Sequence, residues 1–426
     1  MENKIIQTDY LVIGNSAAGI GTVQGIRSID RSGSIVLLSD EAHHTYSRPL
    51  ISYWLQGRVE PQNMIYRDLD FYADYGVQAL LGPDAKVISL DPQAGQALLE
   101  NGDIVEYGRL MIASGSVPFV PPMKGLEEAQ DDFTFTKLAD AEGVKAIVDA
   151  MAEKDQKPKT VILGAGLIGL KAAEALADQA ESIVVVDLAE RVLPSVLTEN
   201  TAPFVQDYLE EQGLVFRLGR SFAQIGDHEV TLSDGETLPY DILILAAGTR
   251  PNVVFAKEAG IECGRGILTD EHQQTNLENI FAAGDCTDSM DISTGSVKNM
   301  AILPNAFMQG KTAGITMAGG EAVYDKGFPV NSLGLLGLFM LSAGSYTGNE
   351  VIVEGGDCTK HFFVSEDGTQ LNGFIIFGDC PRAGIYTDLI REKTDLSGID
   401  MERLFAEPGI MAFGHQARIN KLARPH

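Results

Sequence analysis

Cysteine is scarce in this chain, and the spacing of the few cysteines present excludes several kinds of redox site. The 426 residues contain four, Cys263, Cys286, Cys358 and Cys380, with no C-x-x-C pair and no iron–sulfur spacing. The seven histidines form no metal-ligand pattern, and no G-x-S-x-G nucleophile motif is present. We therefore expect no metal site and no protein nucleophile, so the chemistry should belong to bound cofactors.

Basic residues and long apolar runs are also lacking. Lysine and arginine total 32 against 59 aspartates and glutamates, which gives a formal charge of −27. Such a surface repels phosphate backbones and anionic headgroups, so we expect no nucleic acid or membrane partner. The longest apolar stretch, residues 333–343, is too short and too broken by glycine to span a bilayer. No basic-then-apolar leader precedes the first predicted strand, so we expect no secretory signal and a cytoplasmic protein.

A glycine-rich dinucleotide-binding fingerprint is present twice, 150 residues apart. Residues 14–19 (GNSAAG) follow the apolar run YLVI, and residues 164–169 (GAGLIG) follow TVIL. In each case a buried parallel strand is predicted to end in a small-residue turn from which a helix begins. The turn lets backbone N–H groups approach a pyrophosphate, and the positive end of the helix stabilises its charge. Two such units predict two dinucleotides, with electrons passing between them.

Acidic residues follow each fingerprint at the tip of the next predicted strand. Asp40 and Glu41 follow the run at 35–39, and Asp187 follows the run at 183–186, 18 residues beyond Gly169. A carboxylate about 20 residues after the fingerprint is placed to accept hydrogen bonds from ribose hydroxyls. The first fingerprint has Ser16 where a second glycine is usual. This side chain is small enough to keep the close approach, so we retain the site.

A second internal similarity indicates that the two units are a duplication. Residues 107–118 and 240–251 share Tyr, Leu, Ala, Gly and Pro at offsets 0, 3, 6, 8 and 11. Each segment predicts a late buried strand that ends in a small-residue turn, with proline barring continuation. Each fingerprint therefore opens a unit that a matching strand closes.

Together these residues resemble the FAD-dependent pyridine nucleotide oxidoreductases of the glutathione-reductase fold, over essentially the whole chain. Within that family the chain is most similar to the NADH:rubredoxin oxidoreductase and ferredoxin-reductase branch. The most specific motifs are residues 46–52 (YSRPLIS) and residues 275–285 (TNLENIFAAGD). Without the surrounding motifs, Arg48 could equally form a surface salt bridge, and Asp285 could equally cap the N-terminus of a helix.

The resemblance implies a cofactor for each site. It assigns FAD to the first, with the binding residues Gly14, Ser16, Ala17, Ala18, Asp40, Glu41, Arg48, Pro49, Ala113, Ser114, Gly115, Asp285 and Asn305. It assigns NADH to the second, with Gly164, Gly166, Leu167, Ile168, Asp187 and Gly248. Arg48 and Pro49 resemble the loop under the isoalloxazine and pyrophosphate, and Asp285 the carboxylate that accepts hydrogen bonds from the ribityl chain. Asp187 would repel a 2′-phosphate and favour NADH, a preference that Arg191 could soften.

The same resemblance implies an α/β architecture with two Rossmann-like domains and a smaller C-terminal α/β domain. Residues 1–118 and 249–325 should form a discontinuous FAD-binding domain, and residues 119–248 an inserted NAD-binding domain. Residues 326–426 should form a domain for dimerisation or partner docking, with a hairpin around Asp367 and Gly368. The basic end at 418–424 either meets an acidic ferredoxin or is a solvated tail.

Missing cysteines and two residues that differ from the family pattern limit the reactions that the resemblance allows. Residues 40–57 contain no cysteine, whereas disulfide reductases of this fold need a cysteine pair there. Many relatives have glutamate where this chain has Lys171, and ferredoxin reductases tend to have lysine where it has Tyr53. We therefore expect electrons to pass between NAD(H) and a one-electron iron–sulfur carrier, rubredoxin or ferredoxin, without a thiol relay. The alternatives are an NADH oxidase and an NAD-sensing flavoprotein scaffold subunit of a larger redox complex.

Overall fold

The computed structural model describes residues 3–129, 131–355, 358–415 and 418–419. The chain divides into two compact units. The first contains the residues up to Asp288 together with Leu303–Tyr324, and the second contains Ser289–Ile302 together with the residues from Asp325 onward. Residues 289–302 thus cluster with the C-terminal unit, although they lie within the range predicted for the FAD-binding domain. In the described part of the chain no helix is long and apolar enough to cross a membrane.

The strands and helices are as follows. The strands are β1 (Ile5–Ile13), β2 (Ile35–Ser39), β3 (Val77–Leu81), β4 (Val87–Asp91), β5 (Gln96–Leu99), β6 (Ile104–Ile112), β7 (Ser116–Pro118), β8 (Asp132–Phe133), β9 (Lys159–Leu163), β10 (Ser182–Asp187), β11 (Val215–Leu218), β12 (Phe222–Gly226), β13 (Glu229–Leu232), β14 (Thr237–Pro239), β15 (Ile242–Leu245), β16 (Thr249–Pro251), β17 (Ile267–Leu268), β18 (Ile280–Ala282), β19 (Thr287–Asp291), β20 (Ser296–Asn299), β21 (Val330–Leu335), β22 (Leu338–Gly344), β23 (Asn349–Gly355), β24 (Cys358–Val364) and β25 (Leu371–Gly378). The α-helices are α1 (Ala17–Ile29), α2 (Leu50–Leu55), α3 (Phe71–Asp74), α4 (Leu138–Ala152), α5 (Leu167–Leu176), α6 (Ala202–Glu211), α7 (Val254–Glu258), α8 (Leu303–Met317), α9 (Gly384–Arg391) and α10 (Met401–Ala406).

The first sheet of the N-terminal unit is built around β1. Its order is β3-β2-β1-β6-β5-β4, with β18 also paired to β6. The pairs β3-β2, β2-β1, β1-β6 and β6-β18 are parallel. The end of β1 is almost wholly apolar and buried, as expected for a parallel strand covered on both faces. Ile13 lies opposite both Leu38 and Ile112, so the carboxyl ends of three strands meet at one edge.

The second sheet repeats the arrangement of the first. Its order is β11-β10-β9-β15-β8, and these pairs are parallel. Here β9, α5 and β10 correspond to β1, α1 and β2, and β15 takes the place of β6. Leu163 lies opposite both Val186 and Leu245, which again brings three carboxyl ends to one edge. The α/β fold class predicted from the sequence, with two Rossmann-type sheets, is confirmed.

Helices α1 and α8 pack backbone to backbone beside the first sheet. A β-carbon on Gly310 would lie 2.0 Å from the Ala18 carbonyl oxygen, and one on Gly314 would lie 2.2 Å from that of Thr22. Glycine at these positions is therefore what allows the two helices to approach so closely. The contact places the middle of α8, at Gly310, beside the start of α1 and next to the first fingerprint.

The two-stranded ribbon β7-β16 lies where the chain is predicted to pass between the FAD-binding and NAD-binding domains. Thr249 pairs with Pro118, and Pro251 pairs with Ser116, in antiparallel register. The two chain segments at the predicted domain boundaries, near residues 118 and 249, therefore lie side by side. The boundaries of the FAD-binding and NAD-binding domains remain a prediction.

The C-terminal unit is an antiparallel sheet with helices packed against it. The sheet order is β21-β22-β25-β24-β23. The predicted hairpin is present, because β24 pairs with β25 and Gly368 adopts a φ of +73° in the connecting turn. Phe362 of β24 stacks on Phe405 of α10 with ring centroids 3.9 Å apart, and this pair lies in the unit's core. Most of the basic end at 418–424 lies outside the described residues.

Candidate functional site

The first fingerprint folds into a turn that only glycine can form. Gly14 follows β1 with a φ of +121°, and its N–H donates to the Leu38 carbonyl at 2.8 Å. A β-carbon at Gly14 would lie 2.1 Å from the Ala113 carbonyl oxygen, and one at Gly19 would lie 1.9 Å from the Gly14 carbonyl oxygen. Ser16 is the N-cap of α1, and its side chain makes no capping hydrogen bond. The turn therefore fixes the start of α1 tightly against β1 and β6.

The second fingerprint has the same geometry. Gly164 has a φ of +116°, and a β-carbon there would lie 2.2 Å from the Ala246 carbonyl oxygen. A β-carbon at Gly169 would lie 1.9 Å from the Gly164 carbonyl oxygen. Gly166, the position that matches Ser16, is open, because a β-carbon there would meet no atom within 4 Å. The same open position explains why the first unit accommodates serine without strain.

The other predicted residues of the second site surround this turn. Leu167 and Ile168 form the first turn of α5 and are half-buried. Gly248 follows β15 with a φ of +111°, and a β-carbon there would meet no atom within 4 Å. The Asp187 carboxylate at the end of β10 accepts hydrogen bonds from the N–H groups of Ala165 at 2.6 Å and Ala189 at 2.8 Å. The structure thus gathers all the predicted NADH-binding residues at one sheet edge.

Arg48 lies in a small cavity above the first fingerprint. The residues that line this cavity are Asn15, Ser16, Ser39, Glu41, His43, Tyr46 and Arg48. Arg48 forms an ion pair with Glu41 and donates to the Thr136 carbonyl oxygen at 3.0 Å. The Tyr46 hydroxyl donates to Glu41 at 2.7 Å. Ser16, Glu41 and Arg48 therefore line one cavity, while Asp40 turns outward to Lys137 at 2.8 Å.

Sequence reasoning missed part of this cavity's polar lining. Asn15 donates to the His43 carbonyl oxygen at 3.3 Å and accepts from the Tyr72 hydroxyl at 2.8 Å. Asn15 is the second residue of the first fingerprint, and this position could have identified it as a site residue from the sequence. Tyr72 lies 57 residues further on in the sequence, so nothing local linked it to the site.

Asp285 lies at the carboxyl edge of the first sheet. It follows β18, and the Ser116 hydroxyl donates to its Oδ2 at 3.5 Å. Burial raises the pKa of the Asp285 carboxyl, and the positive charge of Arg48 opposes this rise. Ala113, directly after β6, and the turn residues Ser114 and Gly115 lie on the same edge. The Ser114 hydroxyl donates to the Asn252 carbonyl oxygen at 2.7 Å.

The start of α8 completes the first site. Gln309 is 1% exposed, and its side-chain oxygen accepts a hydrogen bond from the Gly284 N–H at 2.9 Å. Asn305, one turn earlier, accepts from the Tyr324 hydroxyl at 2.7 Å. Ala17 and Ala18 are buried at the start of α1, and Gly310 of α8 lies against the Ala18 backbone. Pro49 is the N-cap of α2, directly after Arg48.

Lys171 and Tyr53, the two positions at which the chain differs from the family pattern, contact each other. The Lys171 ammonium lies over the Tyr53 ring, 4.5 Å from its centroid, and forms an ion pair with Glu174. Tyr53 is on α2 and Lys171 is on α5. The two helices are also joined by hydrogen bonds, from Gln56 to the Glu174 carbonyl oxygen and from Gln179 to the Leu55 carbonyl oxygen, both 3.0 Å.

The thiol nearest to the first site is buried. Cys286 is 0% exposed and donates to the carbonyl oxygens of Ala283 at 3.3 Å and Ile112 at 3.4 Å. Burial raises the pKa of its thiol to about 11. The group is therefore protonated at neutral pH, and a protonated thiol is a poor nucleophile.

Two βαβ turns of matching geometry in one chain fit two dinucleotides, the arrangement of an enzyme with two nucleotide cofactors. The chain matches the model of the pyridine nucleotide-disulphide oxidoreductase family over residues 8–310. It is 30% identical over 420 residues to subunit epsilon of the NADH-dependent phenylglyoxylate dehydrogenase of Aromatoleum evansii, covering 96% of this chain and 97% of that subunit. The chain therefore belongs to the pyridine nucleotide-disulphide oxidoreductase family.

Other relatives agree with the resemblance. The chain is 31% identical over 287 residues to a rubredoxin-NAD(+) reductase of Acinetobacter baylyi, covering 65% of this chain and 72% of that protein. The structure of a ferredoxin reductase from Rhodopseudomonas palustris has the same fold, with a TM-score of 0.82, 24% identity, and coverage of 98% of this chain and all of that one. Proteins of the family bind FAD and NAD(P)H, and this chain is an NAD(P)H-dependent flavin oxidoreductase.

Proposed function

We propose that this protein transfers electrons between NADH and a one-electron iron–sulfur carrier through FAD, without a redox-active disulfide. The observation that carries the proposal is the state of the cysteines near the first site. Residues 40–57 contain no cysteine, and Cys286 is wholly buried with a thiol pKa of about 11. A thiol relay needs an accessible thiolate, which neither segment supplies.

FAD would occupy the first site. The glycine turn at Gly14 and the start of α1 would hold its pyrophosphate. Glu41, at the tip of β2, would accept hydrogen bonds from a ribose, and Asp285 would do so from the ribityl chain. Arg48 already pairs with Glu41 and donates to the Thr136 carbonyl oxygen, and the donors that remain would contact the phosphates. A bound flavin supplies the chemistry, since it takes up electrons as a pair and releases them singly.

NADH would occupy the second site. The open backbone at Gly166 leaves room for a pyrophosphate at the start of α5. The Asp187 carboxylate, fixed by two backbone N–H groups, would accept hydrogen bonds from a ribose and repel a 2′-phosphate. Arg191 faces Glu199 at 3.6 Å, and this neighbouring carboxylate weakens its attraction for a phosphate. Both features favour NADH over NADPH.

The acceptor is proposed from the relatives together with the cysteine pattern. A rubredoxin-NAD(+) reductase is among the proteins similar to this chain, and rubredoxin carries electrons one at a time. The near full-length match to a subunit of an NADH-dependent dehydrogenase favours a second form of the same function. In that form the chain is the NADH-reactive subunit of a larger enzyme, and the iron–sulfur carrier is another subunit.

Anaerobic reduction of purified, FAD-loaded protein by NADH tests the proposal. Flavin absorbance should bleach on mixing and return when oxidised rubredoxin or ferredoxin is added. Co-purification from the native host should recover the iron–sulfur partner. The proposal is wrong if the reduced protein returns electrons only to dissolved oxygen, which would make it an NADH oxidase. It is equally wrong if a disulfide substrate is required, or if NADH bleaches the flavin too slowly for turnover, as a sensor would.

A further inference from the structure

Two of the four cysteines are neighbours in the C-terminal unit. Cys358 begins β24 and lies opposite Gly378, the last residue of β25, and Cys380 follows Gly378 by two residues. In an antiparallel pair, a residue and the one two positions beyond its partner share a face and are diagonal neighbours. The Cys358 thiol is also one of the neighbours that raise the pKa of the Cys380 thiol, after burial as the main cause. The strand register therefore places the two cysteines next to each other.

A buried lysine lies beside the pair. Lys360, two residues after Cys358 on the same strand, is 5% exposed. Its ammonium donates to the carbonyl oxygens of Phe405 at 3.1 Å and Ala406 at 2.7 Å, at the end of α10. Burial raises the pKa of the Cys380 thiol, and the Lys360 charge opposes this rise. Because the pKa of the Cys380 thiol is raised overall, this group keeps its proton, and the first attack falls to Cys358.

The two thiols differ in access. Cys380 is 7% exposed and belongs to the core of the unit, whereas Cys358 is only partly buried and packs at the edge of that core. A small oxidant from solvent therefore meets the Cys358 sulfur first. The buried Cys380 sulfur is then the neighbour that can resolve an oxidised Cys358.

We propose that Cys358 and Cys380 form a dithiol that a hydroperoxide oxidises to an intrachain disulfide. In the first step the Cys358 thiolate attacks hydrogen peroxide. An S–O bond forms, the O–O bond breaks, and the departing hydroxide takes a proton to become water, leaving a sulfenic acid. In the second step the Cys380 sulfur attacks the sulfenic sulfur. The S–S bond forms, the S–O bond breaks, and the second oxygen leaves as water with the Cys380 proton.

Overall, two thiols lose two electrons and two protons, and one hydrogen peroxide becomes two waters. The disulfide would close the β24-β25 hairpin into a covalent loop. It would tie the start of β24 to the segment that leads into α9. A low-molecular-weight thiol would restore the reduced pair by exchange. This site is independent of the proposed route through FAD, since it uses no residue of either nucleotide site.

Thiol counting and peptide mapping of the FAD-loaded, full-length protein test the proposal. After treatment with hydrogen peroxide at pH 8, the free thiols measured in guanidinium should fall from four to two per chain and return to four with dithiothreitol. Mapping should find one peptide that links Cys358 to Cys380. Cys380→Ser should lose that cross-link and accumulate a sulfenic acid at Cys358, which a dimedone probe would label.

Cys263 is the matched control. It is partly buried, as Cys358 is, but its charged neighbours are Lys257 and Asp288. Cys263→Ser should leave the cross-link and its rate unchanged. The proposal is overturned if the wild-type chain keeps four thiols, or if Cys358 and Cys380 oxidise to separate sulfinic acids. A cross-link that joins either residue to Cys263, to Cys286 or to a second chain overturns it as well.

Discussion

The Lys171 ammonium lies 4.5 Å from the centroid of the Tyr53 ring and pairs with the Glu174 carboxylate. Tyr53 is on α2, which follows the Arg48–Pro49 loop, and Lys171 is on α5, which begins at the second fingerprint. One cation therefore connects the helices that leave the two predicted cofactor sites. In the sequence, Tyr53 and Lys171 are two separate departures from the family pattern. The structure shows that these two side chains contact each other.

Replacing Lys171 should weaken the contact between α2 and α5. Glu174 is about 5% exposed and Lys171 about 18% exposed, so Lys171→Met takes the cation away from a buried carboxylate. We expect the free energy of unfolding to fall by about 3 kcal/mol. Tyr53→Leu, which removes the aromatic ring under the cation but keeps an apolar side chain, should lower the free energy of unfolding by about 1 kcal/mol. Urea unfolding followed by fluorescence measures both.

Lys145→Met serves as the control for this prediction. Lys145 pairs with Asp149 on an exposed face of α4, and the two side chains are 38% and 59% exposed. Its loss should change stability by no more than about 0.5 kcal/mol. Equal effects of Lys145→Met and Lys171→Met would contradict the importance given to the buried pair.

The two glycines of the second fingerprint should respond oppositely to alanine. Gly164→Ala would put a β-carbon 2.2 Å from the Ala246 carbonyl oxygen at a φ of +116°. It should therefore lower stability and abolish NADH binding. Gly166→Ala meets no atom within 4 Å, so the protein should fold with unchanged stability while its NADH affinity falls. Thermal unfolding and NADH titration separate the two effects. An unstable Gly166→Ala protein would contradict the assigned geometry.

Local patterns predicted the parts of the fold and site that depend on neighbouring residues. The turns at Gly14 and Gly164 follow from the strand, glycine and helix pattern, and the hairpin at Gly368 follows from its turn residues. Contacts between distant segments were not predictable. The Lys171 contact with Tyr53, the Tyr72 bond to Asn15 and the grouping of residues 289–302 with the C-terminal unit depend on tertiary packing. No periodicity in the sequence encodes such packing.

Asp187 should control the choice of nucleotide. Asp187→Ala removes a charged acceptor for ribose hydroxyls, worth about 1.5–3 kcal/mol. We expect kcat/KM for NADH to fall about 10- to 150-fold and the preference over NADPH to shrink. Asp241 also accepts a backbone N–H, from Lys159 at 2.8 Å, at the opposite edge of the same sheet. Asp241→Ala should leave the preference intact, and a wild type that prefers NADPH would show that Asp187 has another role.

Cys286 should make the fold sensitive to alkaline pH. Its thiol pKa is about 11 in the folded protein, against 9.0 for an unperturbed thiol. The folded state therefore holds this proton more tightly than the unfolded state does. The resulting stability is complete below pH 9.0 and is lost as pH rises toward about 11. Cys286→Ser should show a shallower loss of unfolding free energy across that range, and parallel curves would contradict the buried, protonated thiol.

The central claim, that electrons leave the flavin without a thiol relay, is tested most directly with a cysteine-free protein. The variant carries Cys263→Ser, Cys286→Ser, Cys358→Ser and Cys380→Ser together, which replaces every cysteine of the chain. Anaerobic stopped-flow mixing would follow flavin reduction by NADH and the subsequent reduction of rubredoxin or ferredoxin. A folded, FAD-replete variant should complete both phases at rates within about twofold of wild type. A variant that reduces its flavin normally but no longer passes electrons to the carrier would contradict the claim.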